Sequence, residues 1–366
     1  MFKKMMILAA AAICMAATQV GTGGMALADD DYVINLGYYN CDHMTAAPVA
    51  DALGIYKKYG LNVKVTGNGK VPEAMAAGQM DAGYVGVVRL FRAYLKGAPI
   101  MFGAGNHTGG SEYMVVRTDS GIKTAQDLLG KKIMLGSQPH KTNGNWINYT
   151  AEYKIPIDPK QYQVFAMSDM DAYLAMKAGH LDAFDTCDPW GSMAVYEGTG
   201  YIIATFQGTT GRDDGLCCVF TMNQNFLREH PELASKLIRA HVESIKLMYL
   251  EPVKCAKVFA KAYSVPEEVA LMTLFRKTVD EGRTMDWTYD APRVQETATH
   301  AHSVGLLTEE VNLKDFIDSS FYDAAQVDDF QTFIKNEVDG VFPLGMTYEE
   351  WKNKALELAG EKVAGL

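Results

Sequence analysis

The chain has 366 residues, of which 48% are hydrophobic and 21% are charged, and its formal net charge at pH 7 is −10. This is the composition of an ordinary globular protein with enough length for two domains. The acidic balance, without a basic stripe, argues against nucleic acid as a partner.

The first 28 residues have the pattern of an export signal. Lys3 and Lys4 form a short basic region, residues 5–18 are apolar and rich in alanine, and Ala26-Leu27-Ala28 is a small-x-small cleavage site. We therefore expect a periplasmic protein whose signal peptide is cleaved after Ala28. A retained N-terminal anchor is the alternative.

From Tyr32 onwards strands alternate with helices, which is typical of an α/β domain with a mainly parallel sheet. A glycine-dense loop at 105–112 separates the fourth strand from the fifth. The pattern predicts strands at 32–39, 61–66, after Asp81, at 99–103 and at 113–117, and helices at 46–59, 71–77 and 89–96.

One stretch occurs twice in the chain. Residues 74–83 read AMAAGQMDAG and residues 175–184 read AMKAGHLDAF, so that Asp81 and Asp182 are equivalent. Each copy predicts a helix end, a glycine that stops the helix and an Asp-Ala pair entering a strand. Gly37 and Gly136 follow similar strands at nearly the same offset. The repeat predicts two similar lobes that face each other across a ligand.

The second lobe is predicted as an insertion in the first. The signal peptide is 1–28, lobe one comprises 29–115 and 213–366, and lobe two comprises 116–212. Beyond the returning strand at 216–222 the chain is predicted to be helical. The remaining predicted elements are helices at 124–129, up to 153, 169–178, 223–230, 231–250, 252–263, 266–275, 292–304, 315–336 and from 347, and strands at 132–136, 162–165, after Asp182 and at 201–205.

Ligands of open α/β sheets bind at the carboxyl ends of the strands, where the loops carry polar candidates. Several of these loops run into helix N-termini, whose free N–H groups favour an anionic group. For each polar residue a helix cap or turn is the alternative, and for Arg89 a solvated side chain. The predicted ligand contacts are Tyr39, Asn40, Cys41, Asp42, His43, Thr45, Gly86, Val87, Arg89, Asn106, His107, Gly110, Thr142, Asn143, Asp185, Cys187, Asp188, Trp190 and Cys217.

Five cysteines remain after cleavage, and their roles stay open. Four of them could bind a soft metal such as zinc or copper(I): Cys41 with His43, Cys187 with Asp188, and the pair Cys217-Cys218. Cys255 is expected in the core. A disulfide between Cys187 and Cys217 or Cys218 is a second possibility, and free thiols that pack as small apolar groups are the third. Because no C-x-x-C spacing occurs, we predict free thiols, no metal and no cofactor.

No catalytic motif stands out in the sequence. It has neither a glycine-rich phosphate loop followed by Lys-Ser or Lys-Thr nor a Gly-x-Ser-x-Gly. We therefore predict a binding protein rather than an enzyme.

Several segments carry a family resemblance, and 119–133 (DSGIKTAQDLLGKKI) is the most specific of them. The others are ALGIYKKYGL at 52–61, GQMDAGYVG at 78–86, AGHLDAF at 178–184 and FLREHPE at 226–232. On these segments nearly all of the mature chain resembles the periplasmic substrate-binding proteins of ABC importers. The similarity is to the nitrate/sulfonate/taurine-type subgroup, which also includes binders of thiamine-pyrimidine precursors.

The resemblance implies a type II periplasmic-binding-protein fold, in which two α/β lobes with mainly parallel sheets are followed by a helical C-terminal region. It implies a small-molecule ligand held between the lobes and delivered to the membrane subunits of an ABC permease, with the binding protein a monomer. A sulfonate, taurine, nitrate or another small anion or zwitterion is expected. Asp42, Glu112, Asp185 and Asp188 suit a cationic or zwitterionic partner better than a purely anionic one.

Three alternatives follow from the same resemblance. Cys217-Cys218-Val219-Phe220 is similar to a cysteine-rich motif of pyrimidine-precursor binders, so the ligand could be such a precursor. A pyrimidine-synthase-like iron enzyme is the second alternative, against which the export signal argues. A sensor that signals to a receptor is the third.

Overall fold

The structure is a computed structural model that describes residues 31–39, 41–67, 70–109, 112–136, 143–206 and 215–361. The predicted signal peptide and the predicted contacts Asn40, Gly110 and Thr142 lie outside these residues. Within them, two five-stranded sheets are formed. The strands are β1 (Val33–Tyr38), β2 (Asn62–Gly67), β3 (Ala82–Gly86), β4 (Ile100–Thr108), β5 (Glu112–Arg117), β6 (Lys132–Met134), β7 (Gln163–Phe165), β8 (Ala183–Thr186), β9 (Gly200–Phe206) and β10 (Leu216–Asn223).

The two sheets have the same architecture. The strand order is β2-β1-β3-β10-β4 in the first and β7-β6-β8-β5-β9 in the second. In each sheet one strand, β10 or β5, is antiparallel to both of its neighbours, whereas β1 and β6 pair in parallel. All the other strands of a sheet therefore point in one direction, which confirms the predicted mainly parallel sheets.

The chain passes from the first sheet to the second between Thr108 and Glu112, and it returns between Phe206 and Leu216. The strand that follows each crossing is the antiparallel one of its sheet. In each sheet, one inner strand is therefore the first strand after a crossing: β5 in the second sheet and β10 in the first. The domain boundaries near residues 115 and 212 stay predictions.

The helices cover both sheets and form the C-terminal region. Their ends follow local sequence signals: Pro231 and Pro252 begin two helices, as first-turn prolines do, and the Asn143 side chain accepts the Trp146 N–H at 3.3 Å. The helices are α1 (Ala46–Ala52), α2 (Ile55–Lys58), α3 (Val71–Ala76), α4 (Val87–Leu95), α5 (Gly144–Tyr153), α6 (Asp169–Lys177), α7 (Trp190–Tyr196), α8 (Gln224–Glu229), α9 (Pro231–Leu250), α10 (Pro252–Tyr263), α11 (Glu267–Phe275), α12 (Ala291–Ser303), α13 (Ser320–Ala325), α14 (Phe330–Phe333) and α15 (Tyr348–Leu358).

The first sheet has a hydrophobic core on each face. Ile34 and Leu36 belong to a core shared with α1 and α9, and Val85 and Phe102 to a core shared with α3 and α4. The C-terminal helices α10, α11 and α15 extend the former core. Among the described residues, no helix has the length and apolar character needed to cross a bilayer.

The repeated stretch has the same structural role in both sheets. Asp81 accepts the backbone N–H of Asn35 at 2.8 Å, and Asp182 accepts that of Lys132 at 3.0 Å. In return each aspartate N–H donates to the carbonyl oxygen of the same partner, at 2.9 and 2.8 Å. The glycine three residues earlier has a positive φ in both copies, 67° and 79°. In both sheets the aspartate of the repeat therefore bonds the strand that it precedes, β3 or β8, to the neighbouring parallel strand, β1 or β6.

We expect Asp81→Ala to lower the free energy of unfolding by about 1–3 kcal/mol, because two partly buried donors lose their acceptor. These donors are the Asn35 N–H and the Tyr32 hydroxyl, which lies 2.9 Å from the carboxylate. Urea denaturation of the folded chain measures the loss. Asp51→Ala, at an exposed position of α1, is the control, and equal losses for the two variants would contradict the assigned role.

Four local predictions were wrong. The helix predicted over 46–59 is interrupted at Gly54, whose φ of 73° is left-handed, and the helical run over 315–336 is split into α13 and α14. Trp190, predicted as the last residue of the turn at 186–190, begins α7. β4 continues to Thr108, so Asn106 and His107 lie in a strand and not in a glycine-rich loop.

Candidate functional site

A cleft of about 490 Å³ lies between the two sheets, where the carboxyl ends of β1, β3, β6 and β8 approach each other. This is where open parallel sheets bind ligands, and the volume is that of a small-molecule site. The wall from the first sheet includes Cys41, His43, Arg89, Cys217 and Cys218, and the wall from the second sheet includes Glu112, Asp169, Asp185 and Cys187.

Two consecutive cysteines of β10 point into one corner of the cleft. Cys217 Sγ and Cys218 Sγ lie 3.8 Å apart, and they lie 3.6 and 3.5 Å from Nδ1 of His43. Consecutive side chains of a regular strand point to opposite faces of the sheet. β10 shifts its register against β4 on both sides of Cys218, and this irregularity brings the two thiols to one side.

Contacts between sulfur atoms divide the cleft thiols into two kinds. Hydrogen bonds from Cys187 and Cys218 lower the pKa of Cys41 well below its usual value, and one from Cys218 does the same for Cys217. His43 adds to both effects, whereas burial opposes them. The same sulfur contacts and burial raise the pKa of Cys187 and Cys218. Cys41 and Cys217 are therefore the thiols of the cleft that ionise more readily than an ordinary cysteine.

Two stacked imidazoles lie beside these thiols. The ring centroids of His43 and His107 are 3.9 Å apart with an interplanar angle of 10°, and the Asn106 amide donates to the His43 carbonyl oxygen. Although burial opposes it, the charges of Asp42 and Cys217 raise the pKa of His43 well above its usual value. Burial and the neighbouring His43 lower the pKa of His107 to about 4. The two stacked rings therefore differ in basicity, with His43 the ring that holds a proton more strongly.

A buried ion network lies behind the histidines and joins the two sheets. Lys277 Nζ lies 2.9 Å from Asp42, 3.0 Å from Glu281 and 3.0 Å from the Tyr113 hydroxyl. Tyr113 belongs to β5 of the second sheet, and Asp42 to the loop after β1 of the first. Burial raises the pKa of Asp42 to about 7, against the effects of His43 and Lys277.

Three carboxyl groups give the second wall an acidic character. Burial raises the pKa of Asp169 to about 7. Burial and the charge of Asp169 raise the pKa of Asp185 to about 7, and burial and the charge of Asp185 raise that of Glu112 well above its usual value. Carboxyl groups that resist ionisation in this way are stabilised by a cation brought into the cleft.

The first wall offers an anion site next to the thiols. Arg89 lies in the first turn of α4, which begins at the cleft, and its guanidinium lies 5.2 Å from the centre of the Tyr39 ring. This cation–π contact fixes the direction of the guanidinium, and the free N–H groups at the start of α4 add to its positive field.

Ten of the predicted contacts line the cleft, and their role as ligand contacts stays a prediction. They come from the loops at the strand ends in both sheets, as the repeat suggested. They are Tyr39, Cys41, His43, Gly86, Val87, Arg89, Asn143, Asp185, Cys187 and Cys217.

Other predicted contacts lie behind the lining. Asp42, Asn106 and His107 are buried in the arrangements described above. Thr45 bonds the Asp42 carbonyl oxygen at 2.6 Å, and Asp188 accepts two bonds from Ser192 at 2.7 Å. Trp190 stacks on Tyr173, with ring centroids 5.8 Å apart, and does not wall the cleft as predicted.

The five cysteines of the described chain are free thiols, so the alternative of a disulfide from Cys187 to Cys217 or Cys218 is wrong for these residues. The cleft residues that sequence reasoning left out of the predicted contacts include Cys218, Asp169 and Glu112. The Cys-Cys pair was a usable signal for Cys218. Asp169 has no such signal in the sequence, because Ser168-x-x-Asp171 before an apolar run is typical of a helix cap. In the structure Ser168 is this cap and accepts the Asp171 N–H.

Solved structures with the same architecture include binding proteins and an enzyme. The alkanesulfonate-binding protein SsuA from Xanthomonas axonopodis pv. citri bound to MOPS has a TM-score of 0.63 and 18% identity, covering 76% of this chain and 95% of that one. The zinc-bound ligand-binding component of an ABC-type import system from Staphylococcus aureus gives 0.64 and 16%, covering 80% and 98%. The desulfurization enzyme DSZB gives 0.61 and 15%, covering 80% and 98%.

These neighbours and the two-sheet architecture identify the fold as that of periplasmic binding proteins, which confirms the predicted fold class. The NMT1-like family model matches residues 28–263. The chain therefore belongs to the NMT1-like family. A comparison with curated protein sequences found no match.

Proposed function

We propose that this protein is a periplasmic solute-binding protein that captures a small polar organic molecule between its two sheets and delivers it to an ABC permease. The observation that carries the proposal is the shared cleft, because residues from the strand ends of both sheets surround one volume of small-molecule size. The Asp42 N–H donates to the Asp188 carbonyl oxygen at 3.1 Å, so the loops of the two sheets meet at the edge of the cleft. A ligand that contacts both walls stabilises this closed arrangement.

The charges of the two walls favour a zwitterion. Arg89 and the start of α4 suit a sulfonate or carboxylate group, and Glu112, Asp169 and Asp185 opposite them suit an ammonium group. An aminosulfonate such as taurine satisfies both walls, whereas nitrate or a plain alkanesulfonate satisfies only one. A thiamine-pyrimidine precursor, which carries an exocyclic amine, could use the acidic wall alone.

A second function is favoured by the thiols of the cleft. Cys41 and Cys217, whose pKa values are lowered, lie beside an imidazole, which is the chemistry of an activated nucleophile. A cysteine enzyme acting on a small organosulfur compound is therefore the alternative. Release of sulfite from arylsulfinates, measured alongside binding, distinguishes the two functions.

Isothermal titration calorimetry with taurine, ethanesulfonate, nitrate and hydroxymethylpyrimidine tests the proposal. We expect the strongest binding for taurine. Arg89→Gln and Asp185→Asn should each weaken it by about tenfold to a hundredfold, the loss of one charge-assisted hydrogen bond. Lys96→Gln, which removes an exposed charge at the other end of α4, is the control and should leave the affinity unchanged. If none of the four compounds gives either heat or a thermal shift, the result would contradict solute binding.

A further inference from the structure

We propose that His43, His107, Cys217 and Cys218 form a binding site for a thiophilic d10 cation, Zn²⁺ or Cu⁺, on the first wall of the cleft. The proposal concerns the metal alone and does not depend on the identity of the solute. It rests on the spacing of the side-chain atoms, on the buried group that orients one ligand and on the irregular strand that presents the other two.

The three closest atoms have the spacing of a tetrahedral metal site. Zinc bonds of about 2.3 Å to sulfur and about 2.0–2.1 Å to nitrogen, at the tetrahedral angle, place N and S ligands ~3.6 Å apart and two S ligands ~3.8 Å apart. The observed distances are 3.6 and 3.5 Å from His43 Nδ1 to the two sulfurs, and 3.8 Å between Cys217 Sγ and Cys218 Sγ. One ion therefore fits all three ligands without a movement of the backbone.

A fourth ligand lies next to this triangle. Ligand atoms of His43, His107 and Cys217 all lie within 4.8 Å of one another. His107 stacks on His43, with ring centroids 3.9 Å apart. To bind the same ion, the His107 ring must turn out of this stack by a side-chain rotation, and the backbone can stay in place. The resulting set of two imidazoles and two thiolates is one that zinc prefers.

The outer surroundings of His43 are those of a metal ligand. The Asp42 carboxylate lies 3.5 Å from Nε2, which leaves Nδ1 facing the two sulfurs. Both side chains are almost fully buried, at 0% and 3% exposure. Pairs of a carboxylate and a ligating histidine are typical of metal sites, where a hydrogen bond between them fixes the tautomer and the ring orientation. Lys277, 2.9 Å from the same carboxylate, holds Asp42 in place.

The strand is distorted at the point where the thiols are presented. Without the register shifts of β10 beside Cys218, one of the two sulfurs would lie on the opposite face of the sheet. Bulges often re-aim side chains next to functional sites. The opposite wall contributes Glu112, Asp169 and Asp185, so a cation entering the cleft meets an acidic surface.

Metal titration of the reduced protein tests the site. The folded protein is stripped with a chelator, kept reduced with a phosphine, and titrated with Zn²⁺, or with Cu⁺ in the absence of oxygen, against a chromophoric chelator. We expect one equivalent of metal per chain, and for Co²⁺ the absorption bands of tetrahedral thiolate coordination. The double variant Cys217→Ser/Cys218→Ser should lose the stoichiometric binding, and Asp42→Asn should weaken it by about 10–100-fold.

Cys255→Ala is the matched control, since this buried cysteine lies on α10 outside the cluster, and it should bind as the unmodified protein does. Binding that survives the double variant, or unmodified protein that retains no metal after gel filtration, would overturn the proposal. If the double variant does not fold, the unmodified protein is alkylated with and without one equivalent of Zn²⁺. The metal should then protect Cys217 from alkylation. Calorimetry with taurine on the metal-free protein tests the proposed function by itself, so that a failure of metal binding and a failure of solute binding can be told apart.

Discussion

Lys277→Met is expected to lower the free energy of unfolding by about 3–5 kcal/mol, the cost of leaving a buried charge without its partner. The Lys277 side chain is 1% exposed, and its ammonium group lies 2.9 Å from Asp42 and 3.0 Å from Glu281. Methionine fills a similar volume, so the change isolates the charge. Urea denaturation at pH 8 measures it, because burial raises the pKa of Asp42 to about 7 in the unmodified protein, whose carboxylate is therefore paired with Lys277 at that pH.

A double-mutant cycle separates the ion pair from packing. Asp42→Asn in the background of Lys277→Met removes the uncompensated charge and should recover a large part of the loss, because a buried pair replaced by neutral groups is often tolerated. Lys261→Met, at an exposed position of α10, should change stability by less than about 0.5 kcal/mol. If Lys277→Met behaves like Lys261→Met, the network does not hold the two sheets together.

The parts of the fold that could be predicted are those whose signal is local. The repeated stretch predicted that Asp81 and Asp182 occupy equivalent positions, and both aspartates join a parallel strand to its neighbour. Alternation of apolar residues predicted β1, and prolines predicted the starts of α9 and α10. Each of these signals lies within about ten residues of the element it specifies.

The predictions that were wrong or missing depend on distant contacts. Lys277 is a lysine of a helical segment near the C-terminus, and its sequence neighbours do not reveal that it packs against a loop at the N-terminus. Trp190 was predicted to wall the cleft, but packing on Tyr173 of α6 turns it away. Asp169 lies in the first turn of α6, and its place in the cleft wall follows from how the two sheets face each other and not from its neighbours in the sequence.

The second large effect concerns the acidic wall and pH. We expect Asp185→Asn to raise the free energy of unfolding above pH 7, by up to about 4 kcal/mol, with no effect below pH 4. Burial and the charge of Asp169 raise the pKa of Asp185 from 3.8 to about 7 in the folded protein, so the folded chain holds a proton that the unfolded chain releases between these values. The contribution of Asp185 to stability is therefore complete below 3.8 and is lost as the pH rises through 7.

Opposing titrations require that the variant be compared with the unmodified protein at each pH. Burial lowers the pKa of His241 to about 4, so its contribution is present above about 6.5 and is lost as the pH falls towards 4. This term is common to both proteins and cancels in the difference. Asp51→Asn, at an exposed site, is the control and should give a flat difference. If the difference in the free energy of unfolding for Asp185→Asn is equally flat from pH 4 to 8, ionisation of Asp185 does not destabilise the empty protein. If the difference in the free energy of unfolding rises with pH, the ionised Asp185 destabilises the empty protein. A cationic group bound in the cleft would offset this effect.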